Sequence, residues 1–130
     1  MKDIKFRVWD NERSAMLNSK SVDIDFFEGK IEITSDTIRY DEVYTDEIKD
    51  FESMQYIGLE DKNGREIYEG DIITITLDTG NVITGSVGMN NGQWSIKYYD
   101  RYYSLVSIWY EIKPEVIGNI YENSELLERK

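Results

Sequence analysis

Apolar and polar residues alternate with a period of two along much of this chain, the spacing that puts successive side chains on opposite faces of a β-strand. Ile4-Lys5-Phe6-Arg7-Val8-Trp9 reads as a half-buried strand, and Asp10-Asn11-Glu12-Arg13-Ser14 as a polar turn. Met16-Leu17 can return beside the first strand. Val22-Asp23-Ile24-Asp25-Phe26 alternates again, Glu28-Gly29-Lys30 signals a turn, and Ile31-Glu32-Ile33-Thr34 follows, so 22–34 is expected to be a hairpin. Thr37 to Phe51 leaves a short helix and irregular chain both open.

Beyond Met54 the punctuation sharpens. Asn63-Gly64 predicts a type I′ turn, in which both central residues have positive φ. Glu69-Gly70-Asp71 turns the chain into Ile72-Ile73-Thr74-Ile75-Thr76-Leu77, a β-branched strand. Val82 to Val87 follows the turn Asp78-Thr79-Gly80-Asn81, with Gly85 marking a bulge or bend. A further turn is expected over Gly88–Gly92, with Asn91-Gly92 at its end. Strands are expected over Gln93–Tyr98 and Tyr102 through Trp109, then over Glu115–Tyr121 after the only proline, Pro114. Asn123 or Ser124 can cap a terminal helix over Glu125–Arg129. Short strands at this spacing predict a small antiparallel barrel or sandwich over 70–121.

Composition matters mainly by what it removes. The 130 residues contain no His and no Cys. This excludes an imidazole base, a thiolate nucleophile, a Ser-His-Asp triad and His- or Cys-ligated metal. No cofactor is expected. No apolar run approaches the roughly 20 residues of a membrane span, and no leader follows Met1, so a cytoplasmic location is expected. The net charge is −11, from 15 basic and 26 acidic side chains. Residues 22–52 hold three basic and eleven acidic of these, making that third the acidic part. Direct nucleic-acid binding, which needs clustered Lys and Arg, is not expected.

Three blocks stand out: Lys5-Phe6-Arg7-Val8-Trp9-Asp10 with Met16, the run from Met54 through Gly58-Leu59-Glu60-Asp61-Lys62-Asn63-Gly64 to Glu66-Ile67-Tyr68-Glu69-Gly70-Asp71-Ile72, and Glu115 through Ile120-Tyr121-Glu122-Asn123. Together they resemble the YopX family, small proteins encoded by bacteriophages and prophages. Ser124 departs from the family's usual proline. The resemblance implies a β-rich α+β fold: N-terminal strands and hairpins, a C-terminal SH3-like antiparallel β-barrel, and a short C-terminal helix. One YopX-like domain would then comprise an acidic lobe over 1–53, the barrel over 54–122 and the helix over 123–130. The resemblance implies no activity and no catalytic residues. Gly64 and Gly70 read as turn glycines, Asn63 and Asp71 as turn or capping residues, and Arg7 as packing on Trp9 or pairing with an acid.

Two motifs invite chemistry. Asp78-Thr79-Gly80 is the aspartic-protease tripeptide, and Val116-Ile117-Gly118 resembles that enzyme's supporting element. A homodimeric protease is therefore a remote alternative, since two such aspartates must share a proton. The hairpin turn explains the tripeptide more simply. The second motif is aromatic: Trp94, Tyr98, Tyr99, Tyr102, Tyr103, Trp109 and Tyr110 fall within 94–110. They read as cross-strand core packing or as a surface that binds protein.

The expected function is a non-catalytic binding or assembly protein whose partner is another protein, including a second copy of itself as a homo-oligomer. An acidic inhibitor or nucleic-acid mimic aimed at a host DNA-binding protein is the alternative. Elemental analysis of the purified protein is expected to find no stoichiometric zinc or iron, because no soft nitrogen or sulfur ligands from His or Cys exist.

Overall fold

A computed structural model describes the backbone of residues 5–17, 22–27, 30–39, 42–48 and 50–128, and the side chains of 5–17 and 50–128. The chain is β-rich and antiparallel, with two short helical segments, and divides into two compact units, Lys5–Met54 and Gln55–Lys130.

In the first unit β1 (Phe6–Asp10) and β2 (Ala15–Leu17) form a hairpin with Trp9 opposite Met16. The alternation of Val22 to Phe27 and Lys30 to Arg39 forms β3 and β4, paired from Val22↔Ser35 to Phe27↔Lys30. The Thr37–Phe51 stretch is neither helical nor irregular where described. Its β-branched and tyrosine positions extend β4 and form β5 (Glu42–Ile48), giving a three-stranded meander. β6 (Phe51–Glu60) leads the chain onward into the second unit.

There, β6 pairs with β7 (Glu66–Tyr68), with a register shift between Tyr56 and Glu60 around Gly58. The β-branched run forms β8 (Asp71–Thr76), followed by β9 (Val82–Asn90), β10 (Gln93–Tyr98) and β11 (Arg101–Ser104) as a meander. The turn expected over Gly88–Gly92 is only Asn91-Gly92, because Gly88, Met89 and Asn90 pair with β10 as strand. β12 (Glu115–Asn119) returns beside β8, so the sheet order is β11-β10-β9-β8-β12. Its core is Ile57, Ile67, Ile73, Ile75, Val87, Ile96, Leu105 and Val116, all buried.

Several expectations need correction. Tyr102 through Trp109 is not one strand: after Ser104 the chain turns into α1 (Leu105–Trp109). Leu105, Ile108, Trp109 and Ile112 recur at helical spacing, and fully buried Leu105 anchors the turn in the core. This helical segment separates β11 from β12. The sheet expected to close over 70–121 therefore has two ends. The terminal helix is a 3-10 turn over Ser124–Leu127, and neither Asn123 nor Ser124 caps it with a side chain. Asn123 Oδ1 instead accepts from the Asn119 amide at 3.2 Å. Gly85 lies in the regular β8–β9 ladder opposite Ile73, without a bulge. It is needed for close approach, because a Cβ there would strike the Lys97 carbonyl of β10 and the Ile96 side chain.

That clash gives the first test of the packing. Gly85→Ala should cost about 2 kcal/mol or more in denaturant unfolding, because the β9–β10 backbones must separate. Gly88→Ala, on the same strand with open space around its Cβ position, should change stability by less than about 0.5 kcal/mol.

Candidate functional site

The aromatic stretch is carried by β10, β11 and α1, and the β6–β7 loop fixes where α1 and β12 lie. Asn63-Gly64 sits in this loop but does not form the expected type I′ turn: Gly64 has φ 82°, whereas Asn63 is not at positive φ. Buried Asp61 is the reason. Its Oδ1 accepts from the amides of Asn63 at 2.9 Å and Arg65 at 2.8 Å, while its backbone N–H donates to the Arg65 carbonyl at 2.7 Å. A true pair of positive φ values occurs at Asn91 (51°) and Gly92 (78°), where nothing but the hairpin dictates the turn.

The other Asp61 oxygen, Oδ2, accepts from the Val116 amide of β12 at 3.0 Å. The neighbouring loop residues add three more ties. The Lys62 amide donates to the Pro114 carbonyl at 2.9 Å, Lys62 Nζ meets Glu115 at 2.8 Å, and Trp109 Nε1 donates to the Glu60 carbonyl at 2.7 Å. Burial pushes the Asp61 carboxyl pKa up, but the Val116, Arg65 and Asn63 amides and the Arg65 charge outweigh it and hold the group below its ordinary value.

Asp71 and Asn119 do similar work at the other end of β12. Buried Asp71 Oδ2 accepts from the Tyr68 amide at 2.8 Å, and Gly70, at φ 85°, makes the turn before it. Asn119 Oδ1 accepts from the Tyr121 and Glu122 amides at 3.0 and 2.9 Å, and Gly118 leaves room for the Asn123 side chain beside it. In the first unit, Asp10 accepts from the Glu12 and Arg13 amides and pairs with Arg13 Nη1 at 2.7 Å. Burial raises the Asp10 pKa, while the Arg13 side chain and these amides lower it further, with a net fall.

The seven aromatic residues do not share one face. The register sets Ile96 opposite Tyr103 and Lys97 opposite Tyr102, so Tyr103 is on the core side of the sheet and Tyr102 on the other. Trp94 is half-buried against the core, on the Ile96 side. Tyr98 and Tyr99 meet edge to face at 4.6 Å, with Tyr99 in the β10–β11 turn at φ 57°. Trp109 and Tyr110 make a second edge-to-face pair at 5.5 Å, and Lys113 Nζ lies 4.8 Å from the Trp109 ring centre. Tyr102, Tyr103 and Tyr110 are 45%, 38% and 80% exposed. Among the described residues β11, which carries the first two, has a strand neighbour on one side only.

Beneath Tyr103 is a cavity of about 540 Å³, a volume typical of ligand sites. Its walls are Ile75, Leu77, Ile83, Ile96, Ile108 and Ile112, with Tyr103, Ser107 and Glu111 supplying polar atoms. Of these nine residues, sequence reasoning singled out only Tyr103. The helical spacing of Leu105, Ile108, Trp109 and Ile112 was the signal that would have exposed the α1 wall. Asp78-Thr79-Gly80 is the exposed turn between β8 and β9, outside the residues that line the cavity. Leu77 and Asn81 pair across it at 2.8 Å, and Gly80 has φ 87°. Val116-Ile117-Gly118 lies within β12, where Val116 packs in the core.

Residues 5–128 match the family described as YopX protein. The chain belongs to the YopX family. Its structure is similar to that of protein EF1440 from Enterococcus faecalis, with TM-score 0.65 and 28% identity, covering 98% of this chain and 100% of that one. It also resembles protein yopX from Bacillus subtilis, with TM-score 0.66, 23% identity, and coverage of 95% and 98%. No protein with a curated description matches. In this YopX chain the turn roles expected of Gly64, Gly70 and Asp71 hold. Asp61, whose role the sequence did not reveal, joins the central block to the C-terminal one.

Removing the Asp61 carboxylate should destabilise the protein strongly. Asp61→Ala leaves the Val116, Arg65 and Asn63 amides without their acceptor and should cost about 3 kcal/mol. The folded pKa is depressed, so this stabilisation is complete above the unfolded value of about 3.9 and is lost as pH falls through the folded value. The stability gap between the unmodified chain and Asp61→Asn should therefore narrow below about pH 4 in pH-dependent unfolding.

Proposed function

We propose that this YopX protein is a non-catalytic binding or assembly module that works through protein–protein contacts made by the 94–110 segment. The observation that carries this reading is an open strand edge, β11, bearing exposed Tyr102 and Tyr103, with exposed Tyr110 just after α1. Exposed aromatic residues are enriched where proteins meet, and an unpaired edge invites another strand. The non-catalytic part rests on the absence of His and Cys from the chain and on the use of Asp10, Asp61 and Asp71 as acceptors for local backbone amides. Carboxylates committed in this way are poorly placed for acid–base work.

The architecture is read as SH3-like because a four-strand meander is followed by a helical turn and a fifth strand that returns beside the first. The setting is read as the cytoplasm of a bacterial host carrying a phage or prophage. No described helix is long and apolar enough to cross a membrane.

A second reading, the acidic nucleic-acid mimic, has one observation of its own. The pairings Asp25↔Glu32, Asp23↔Thr34, Thr34↔Glu47 and Asp36↔Thr45 put five acidic positions on one face of the β3–β5 meander. Salt separates the two readings, because a contact made through that face weakens steeply with ionic strength and an aromatic contact does not.

The first partner to test is a second copy. Light scattering after size exclusion at micromolar concentration should give a mass above that of one chain, little changed between low and high salt. Tyr102→Asp should shift the mass toward the monomer. A monomeric mass for the unmodified protein would remove self-association, and loss of mass only at high salt would favour the acidic face.

A further inference from the structure

We infer that the cavity between the sheet and α1 receives an extended peptide segment of a protein partner, one with a bulky apolar side chain flanked by Lys or Arg. This deepens the binding-module reading and rests on it. Three features lead to the assignment. The walls contributed by Ile75, Ile83, Ile96 and Ile108 are hydrocarbon, and the volume of about 540 Å³ exceeds what one buried water or a packing defect needs. An apolar group entering it removes that surface from water.

The second feature is the route in. Tyr103 lines the cavity and also belongs to β11, whose outer side has no strand neighbour among the described residues. A peptide laid along β11 would pair its backbone with that edge. Because side chains alternate across a strand, the peptide residue opposite Tyr103 projects to the cavity side and its neighbours to the other. Main-chain pairing then supplies affinity, and the cavity selects the side chain.

The third feature is charge. Glu111 is the only ionisable acid lining the cavity, and it is exposed. Among the described residues no cation is paired with it, since Lys113 lies over the Trp109 ring and Lys62 is engaged by Glu115. The chain as a whole carries −11. A cation on the peptide gains a partner at Glu111 and is drawn in by the overall field, whereas an acidic peptide is repelled.

The probes are three N-acetylated, C-amidated pentapeptides, KVLVK, EVLVE and KSSSK, titrated into the isotope-labelled full chain and followed by amide chemical shifts. KVLVK should saturate, with the largest shifts at Ile83, Tyr103, Ser107 and Glu111. EVLVE should bind about tenfold more weakly and KSSSK should not saturate. Glu111→Lys, a change at an exposed position, should reverse the preference between KVLVK and EVLVE. Ser107→Trp, which fills the cavity from its exposed rim, should abolish binding while leaving the rest of the spectrum folded. Absence of saturation by KVLVK, equal binding by EVLVE, or indifference to Glu111→Lys or Ser107→Trp would overturn the assignment. The light-scattering response of Tyr102→Asp, on the opposite face of β11, is a separate readout, and a second copy seated on the β11 edge would compete with KVLVK. That response reports on the broader binding-module reading even where the peptides fail.

Discussion

A carboxylate taken out of water must be given donors, and in this protein that requirement holds the second unit together. Asp61 is buried, and its two oxygens reach both its own loop and the edge of β12. The loop cannot relax without orphaning the group, and β12 cannot shift without leaving the Val116 amide unsatisfied. Since Lys62 and Glu60 of the same loop hold Pro114 and Trp109, the connection from α1 to β12 is fixed at both ends. The cavity wall formed by Ile108 and Ile112 depends on that connection. Asp10, Asp71 and Asn119 repeat the device on a smaller scale, each turning a buried polar side chain into a template for local backbone.

The chain separates its charge from its aromatic surface. Residues 22–52 include eleven acidic residues, and the backbone register places five acidic positions on one face of a meander. Large exposed rings gather instead around β11 and α1, where Lys97, Arg101 and Lys113 temper the charge. In sequence, then, the acid-rich third and the aromatic-rich stretch are different segments, belonging to different units.

Much of the β-structure was legible because period-two alternation and turn residues are local signals. Ile72 to Thr76, the Val22–Thr34 hairpin and the Asn91-Gly92 turn all follow from a few neighbouring residues. The failures arise where a residue outside the local pattern decides. Asn63-Gly64 has the sequence of a type I′ turn, but an aspartate two positions earlier supplies acceptors that favour a different loop. Leu105-Val106-Ser107-Ile108-Trp109 has β-branched composition, yet the fully buried Leu105 and the Trp109 bond to Glu60 make a helical turn there. The aromatic cluster was visible as a cluster, but its division between two faces needed the Ile96↔Tyr103 register. The cavity was not visible at all. It is lined by β8, β9, β10, β11 and α1, and no short window contains them.

The two ends of the five-stranded sheet are unequal. At β12 the Val116 and Asn119 amides are already taken by the side chains of Asp61 and Asn123, so that margin is sealed from within the chain. Among the described residues β11 has no such stopper, and the strand is only four residues long. Growth by strand addition can therefore proceed from one margin alone, and over a short length. Two copies that met there would exhaust each other's free margin. This sheet can consequently support a closed pair but offers no second margin from which a filament could propagate.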